Sequence, residues 1–173
     1  MTMVVDSLRG EFVRYKDLGE KAIAQLSDDE LSRAGAPGGN SIATIIWHIS
    51  GNLRSRFSDF LTSDGEKPWR QREEEFEPRS VTRDEVLETW NGGWNVLIDT
   101  LSSLTDNDLQ RTITIRSQPM SVVAALHRSL AHISYHIGQI VYIAKSIRGD
   151  NWNYLSIPPG KSDEFNRSMT ERR

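Results

Sequence analysis

Cysteine is absent from the 173-residue chain. That excludes disulfides, thiolate-ligated metals and any thiol nucleophile supplied by the chain itself. Long apolar runs are missing as well. No stretch approaches the roughly 20 residues that span a bilayer. The opening MTMVVDSLRGEF has no basic segment followed by a long apolar one, so no signal peptide is expected. Nor is there an excess of basic charge: 21 Lys and Arg stand against 24 Asp and Glu, for a net charge of −3. Nothing in that balance favours nucleic acid or an anionic membrane surface, and the short basic end, Arg172-Arg173, does not alter it. Internal repeats and low-complexity tracts are absent too. These absences lead us to expect a cytoplasmic protein with neither a nucleic-acid nor a membrane partner.

What is present reads as an ordinary globular chain. Hydrophobic residues make up 37% and charged residues 26%, and the length suits one domain, 1–173, with a self-sufficient core. A first helical pattern spans about 4–26, with Leu8, Phe12, Tyr15, Leu18, Ala22 and Leu26 at helical spacing. Ser27-Asp28-Asp29-Glu30 is a capping-box signature that starts a short extra turn. Past the breaker Gly35-Ala36-Pro37-Gly38-Gly39, Asn40 or Ser41 caps a second helix predicted over 41–61.

A polar connection from Thr62 to Val81 follows. Another capping box, Thr82-Arg83-Asp84-Glu85, opens a third helix over 82–104 that carries Trp90 and Trp94. The segment Thr112–Ile115 reads as a short strand or an extended linker. The fourth helix, the longest and most apolar, is predicted over 120–148 and stops at Gly149. From about 150 the tail, rich in Pro, Gly and polar residues, is expected to be irregular.

Four long helices predict an all-α protein, a four-helix bundle. The short links between the first two and the last two helices suit antiparallel neighbours. The 20 residues from Thr62 to Val81 can reach about 66 Å, against about 31 Å for a 21-residue helix. That length predicts a crossover that leaves helices two and three parallel, an up-down-down-up bundle.

The stretch LAHISYHIGQ, 130–139, carries the chemistry. His132 and His136 are one helical turn apart, so both rings project from one face, the spacing of helical two-histidine metal sites. The residues between them are Ile-Ser-Tyr, so the glutamate of the HExxH metalloprotease motif is missing. A third imidazole, His48, lies in the apolar run ATIIWHISGN and can complete the set. Three histidine ligands leave a position open for water or substrate, the catalytic pattern rather than the structural one. The plainer reading of His48 is a core histidine bonded to a carbonyl, and that of the pair is two solvent-facing or core histidines. His127, five residues before His132, is rotated about 140° from it and is read as structural or exposed. Gln139, on the same face as His136, can orient a ligand, touch substrate or simply bond another helix.

The long connection GEKPWRQREEEF is the second informative feature, since structureless loops of such length are usually functional or disordered. Trp69 and Phe76 argue for a docked segment. Arg70 and Arg72 can bind a carboxylate-bearing substrate, or they pair with Glu73, Glu74, Glu75 and Glu77 on a surface crossover.

Taken together, His48, the run HISYHIGQI and the four-helix layout resemble the DinB-like (YfiT-type) superfamily of metal-dependent bundle proteins, over nearly the whole chain. The stretches SGNLRSRFSDFLTSDGEKPWRQREEEF and YLSIPPGKSDEFN look like an uncharacterised branch of it. The resemblance implies a divalent metal, zinc or nickel, on His48, His132 and His136, and a homodimer. It further implies a small-molecule substrate and a transferase that uses a low-molecular-weight thiol as cosubstrate. No thiol-binding motif of the superfamily can be placed on these residues. Two other functions stand beside that one. One is a metal-dependent hydrolase, with Glu20, Glu85 or Asp59 as general base. The other is a non-enzymatic, metal-stabilised dimeric bundle.

Overall fold

A computed structural model describes residues 3–171 of the chain; Arg172 and Arg173 lie outside them. Helix α1 spans Met3–Ile23, the short α2 Asp28–Ser32, α3 Ile42–Phe57, α4 Arg83–Ser103 and α5 Val122–Arg148. Strands β1 (Thr112–Ile115) and β2 (Gln118–Ser121) lie between α4 and α5, and α6 covers Ser162–Glu171.

Local chemistry sets these boundaries. The two capping boxes form as expected, with Ser27 and Glu30 starting α2 and Thr82 and Glu85 starting α4. Ser41 caps α3 by accepting from the Thr44 amide, and Ser121 caps α5 by accepting from that of Ala124. Gly149, with φ of 52°, ends α5 in a conformation that glycine adopts without steric cost.

Buried positions repeat every three or four residues, as in Val122, Ala125, Leu126, Ser129, Ile133, His136, Ile137, Ile140 and Ala144 along α5. These faces close over a core centred on Phe12, Ile46, Leu53, Trp90, Trp94 and Leu97. Among the described residues no helix is long and apolar enough to cross a membrane.

Specific contacts fix the helix directions. α1 packs chiefly on α5 and α3 chiefly on α4. A Cβ on Gly93 would come within 2.6 Å of the Ser50 Cα, so the two backbones approach closely there. Seven residues further along each helix, the Thr100 hydroxyl donates to the Phe57 carbonyl at 3.0 Å. α3 and α4 are therefore parallel, as the long crossover predicts. The Val5 amide reaches Asp106, just past the end of α4, while Arg83 at its start reaches the Ile23 carbonyl. α1 thus runs opposite to α4. Arg148 and Glu30 meet at 3.7 Å where α1 and α5 both end, which completes the up-down-down-up order.

The first helix ends at Ile23 rather than Leu26, and three further features differ from expectation. The second predicted helix stops at Phe57 rather than Leu61, and the chain turns through Asp59 at φ 50°. The predicted start of the fourth helix is instead β2, paired antiparallel with β1. The tip of that hairpin, Arg116-Ser117, holds two non-glycine residues at φ 54° and 59°, without the Asn-Gly signature that usually marks such a turn. The Asp64 carboxylate compensates by accepting the Arg116 and Ser117 amides at 2.9 and 2.7 Å. Hydrogen bonds from backbone amides, those of Glu66 and Ser117 foremost, hold its pKa down to about 2. The tail expected to be irregular contains α6, whose Asp163 and Glu164 complement the helix dipole in the first turn.

Candidate metal centre

His48 sits in the middle of α3, and His132 and His136 sit one turn apart on the antiparallel α5. Burial keeps all three off the surface: His48 and His136 are 5% and 8% exposed, and His132 is half-buried. His132 Nε2 lies 3.3 Å from His48 Nε2 and 3.1 Å from His136 Nε2. One nitrogen from each ring falls within 4.8 Å of the other two. Two nitrogens at about 2.0–2.1 Å from a tetrahedral ion are separated by about 3.3 Å, so the cluster matches the span of one shared cation. The three histidines form a group that can hold a divalent metal.

The opposite ring edges decide the protonation. His48 Nδ1 donates to Glu75 Oε2 at 3.0 Å, because a carboxylate can only accept. His136 Nδ1 donates to Gln139 Oε1 at 2.7 Å, and the Gln139 amide nitrogen donates to the Tyr135 hydroxyl at 3.1 Å. In the neutral rings both remaining Nε2 atoms are therefore lone pairs, and both face His132 Nε2. A single proton on His132 can satisfy only one of them. A cation at the centre satisfies all three, which is the strongest structural argument that these residues fit a metal.

Burial, then the positive charges of His136, His48, Arg70 and Arg56, pushes the His132 pKa down to about 4. Burial also lowers that of His136, against the opposing hydrogen bond to Gln139. Both rings stay neutral and ligand-ready at pH 7.

The crossover supplies the support. Glu75 comes from a 3-10 turn, Glu73–Phe76, that lies against α3. Arg70 grips the same carboxylate with two hydrogen bonds of 2.7 and 2.8 Å, and its own side chain is only 2% exposed. Burial would raise the Glu75 carboxyl, but the bonds from Arg70 and His48 outweigh it and hold the pKa below the ordinary carboxylate value. Gly51 makes room for this arrangement, since a Cβ there would overlap Glu75 Oε1. The Phe76 ring covers His48 at 4.7 Å between centroids.

Other residues singled out from the sequence fall as follows. Arg72 stacks over Phe76 at 5.0 Å, and Trp69 is an exposed ring beneath Arg54 on the neighbouring groove. Arg70 faces Glu75 rather than solvent. Gln139 orients His136. Glu20 accepts from the Trp90 indole and Lys16, and Glu85 is consumed by its capping box. Asp59 presents its charge to Lys67. His127 is exposed on another face of α5.

With the geometry in place, comparison with known proteins gives the family. Residues 2–161 match the profile of the family described as "Protein of unknown function (DUF1572)". The chain belongs to that family. The fold is DinB-like. A crystal structure of a DinB-like protein from Bacillus cereus ATCC 10987 superposes with a TM-score of 0.64 and 18% identity. That match covers 82% of this chain and 91% of the other. Comparison with curated proteins finds no match.

In this DinB-like chain the residue that sequence reasoning missed is Glu75. Its pairing with an arginine is one of the sequence's open readings, but its bond to His48 is not legible there, because four glutamates within five residues carry no register. The usable signal was Gly51, three residues after His48 on a helix that otherwise has no reason to carry glycine.

Proposed function

We propose that this chain is a metal-dependent enzyme, a transferase that uses a low-molecular-weight thiol as cosubstrate. The observation that carries the reading is the convergence of three Nε2 atoms, two of them fixed as lone pairs by Glu75 and Gln139. When bound, a zinc or nickel ion supplies Lewis acidity that lowers the pKa of a thiol brought to it. The residues of the chain do the rest. His48, His132 and His136 would hold the ion, and His48 and His132 also line the adjoining cavity from which a thiol could reach it. Phe76 shields the site from solvent on the crossover side.

In the transfer, the cosubstrate's sulfur forms a bond to the electrophilic carbon. The thiol proton passes to solvent, and the leaving group departs with its bonding electrons.

The cavity wall supports this reading over hydrolysis. Among the described residues no carboxylate lines it, and Glu75 is already committed to His48 and Arg70. A hydrolase needs a general base there, whereas a thiol transferase receives its nucleophile ready to ionise. The test is a conjugation assay in which the zinc-loaded protein meets the thiols of its host's extract and an aryl halide. Thiol-dependent conjugation that disappears in His48→Ala is expected. Hydrolysis of an ester or amide in thiol-free buffer, with no conjugation, would contradict the proposal.

A homodimeric, cytoplasmic protein completes the reading, and it rests on the family resemblance and composition. Light scattering at micromolar concentration is expected to give twice the chain mass of 19.7 kDa. A value at the chain mass itself would rule the dimer out.

A further inference from the structure

Beside the three histidines lies a cavity of about 200 Å³ whose wall carries five guanidiniums, those of Arg56, Arg70, Arg72, Arg116 and Arg128. Two helical stripes build it. On α3, His48, Asn52 and Arg56 succeed one another at four-residue spacing, and on the antiparallel α5 so do His136, His132 and Arg128. Each stripe begins at the metal group and ends in a guanidinium. The hairpin tip adds Arg116 and the crossover adds Arg72.

The arginines differ in what already occupies them. Arg70 is consumed by Glu75. Arg56 and Arg116 share one oxygen, Glu66 Oε2, at 3.1 and 2.9 Å. Arg72 stacks over Phe76 and pairs with Glu73, a carboxylate whose side chain is 89% exposed. Arg128 has no hydrogen bond or ion pair among the described residues, and neither do the side chains of Asn52 and the buried Ser129. Burial, together with the charges of Arg70 and Arg116, lowers the Arg56 pKa against the pull of Glu66, a sign of crowded positive charge. The protein has thus collected like charges in one half-closed space and left Arg128, Asn52 and Ser129 pointing into it without partners. Such crowding is unfavourable unless an anion relieves it.

We infer that this cavity binds a small dianion, a dicarboxylate or a phosphate monoester, through Arg128, Arg72 and Arg116, with Asn52 and Ser129 as neutral donors. Guanidinium forks match the planar or tripodal oxygens of both groups. That the dianion is the acidic end of the enzyme's substrate or cosubstrate, with its reactive end beside the histidines, rests on the metal-dependent reading above. Its capture by the arginines does not.

Calorimetric titration of the full-length protein, zinc-loaded and chelator-stripped, with succinate, methyl phosphate and acetate tests the assignment. One of the two dianions is expected to bind saturably at one per chain, and acetate at least about tenfold more weakly. Whichever dianion binds tighter separates the carboxylate from the phosphate source. Arg128→Gln and Arg116→Gln are each expected to weaken dianion binding about tenfold while the zinc content and helical circular dichroism stay unchanged. Acetate binding as tightly as the dianions, or both variants keeping wild-type affinity, would overturn the inference. Dianion binding by a protein that takes up no zinc would sustain the arginine site and overturn the metal-dependent reading. Zinc uptake without dianion binding would do the reverse.

Discussion

Replacing His136 by alanine is expected to abolish stoichiometric metal binding, from about one ion per chain to a trace. The loss should exceed the roughly 10–100-fold that removal of a supporting residue costs, because one of only three protein ligands disappears. His132→Ala should behave the same way. His127→Ala, on another face of α5, should retain the metal and serves as the control for expression and folding. Isothermal titration with zinc reads all three.

The same titration has a defined pH course. Protons compete with the ion for the ring nitrogens, but the His132 pKa is already down at about 4, below the ordinary histidine value of 6.5. Binding should therefore persist through pH 6.5 and fall away as the pH approaches 4. Stability of the metal-free protein should change over the same window. The unfolded chain takes up its proton near pH 6.5 while the folded ring stays neutral, so stability falls as pH drops from about 6.5 towards about 4. If His136→Ala kept a full complement of metal while His127→Ala lost it, the ligand set would be wrong.

The second large effect belongs to Glu75. Glu75→Gln keeps the size of the side chain but removes the charge that polarises His48, and zinc affinity should fall about 10–100-fold. Glu75→Ala should also destabilise the fold by about 3–5 kcal/mol, since it leaves the Arg70 guanidinium buried without its partner. Gly51→Ala separates position from chemistry. It retains the carboxylate in the chain, yet its new methyl group takes the space of Oε1, so it should lower zinc affinity as Glu75→Gln does. Wild-type zinc affinity in both Glu75→Gln and Gly51→Ala would show that the carboxylate supports the fold alone.

Much of the bundle was legible because the signals are local. Capping boxes at Ser27 and Thr82, the glycine after Arg148 and the three-to-four spacing of apolar residues depend only on neighbours within a turn or two. The parallel course of α3 and α4 was open to expectation because the 20 residues between them are long enough to span a helix. The pair at His132 and His136 was visible for the same reason, as fixed spacing on one helix, and His48 stood out as an imidazole among isoleucines.

What stayed hidden depends on contacts distant in sequence. The Arg116-Ser117 turn is held by Asp64, 52 residues before Arg116, so its own residues do not announce it. Glu75 is distinguished from Glu73, Glu74 and Glu77 only by which of them reaches past Gly51. Arg128 resembles any exposed arginine until the α3 stripe is set opposite it. Asn52 and Arg56 followed His48 at regular spacing, but polar residues at the end of a helix are common and the stripe acquires meaning only beside α5.

The account stands on three imidazoles sharing one ion, and X-ray absorption on protein purified without chelator and loaded with one equivalent of zinc tests that most directly. The prediction is a first coordination sphere with three histidine nitrogens at about 2.0–2.1 Å, replaced in His48→Ala by the oxygen sphere of unbound zinc. A sphere of oxygens alone in the wild type, or one identical in wild type and His48→Ala, would contradict it.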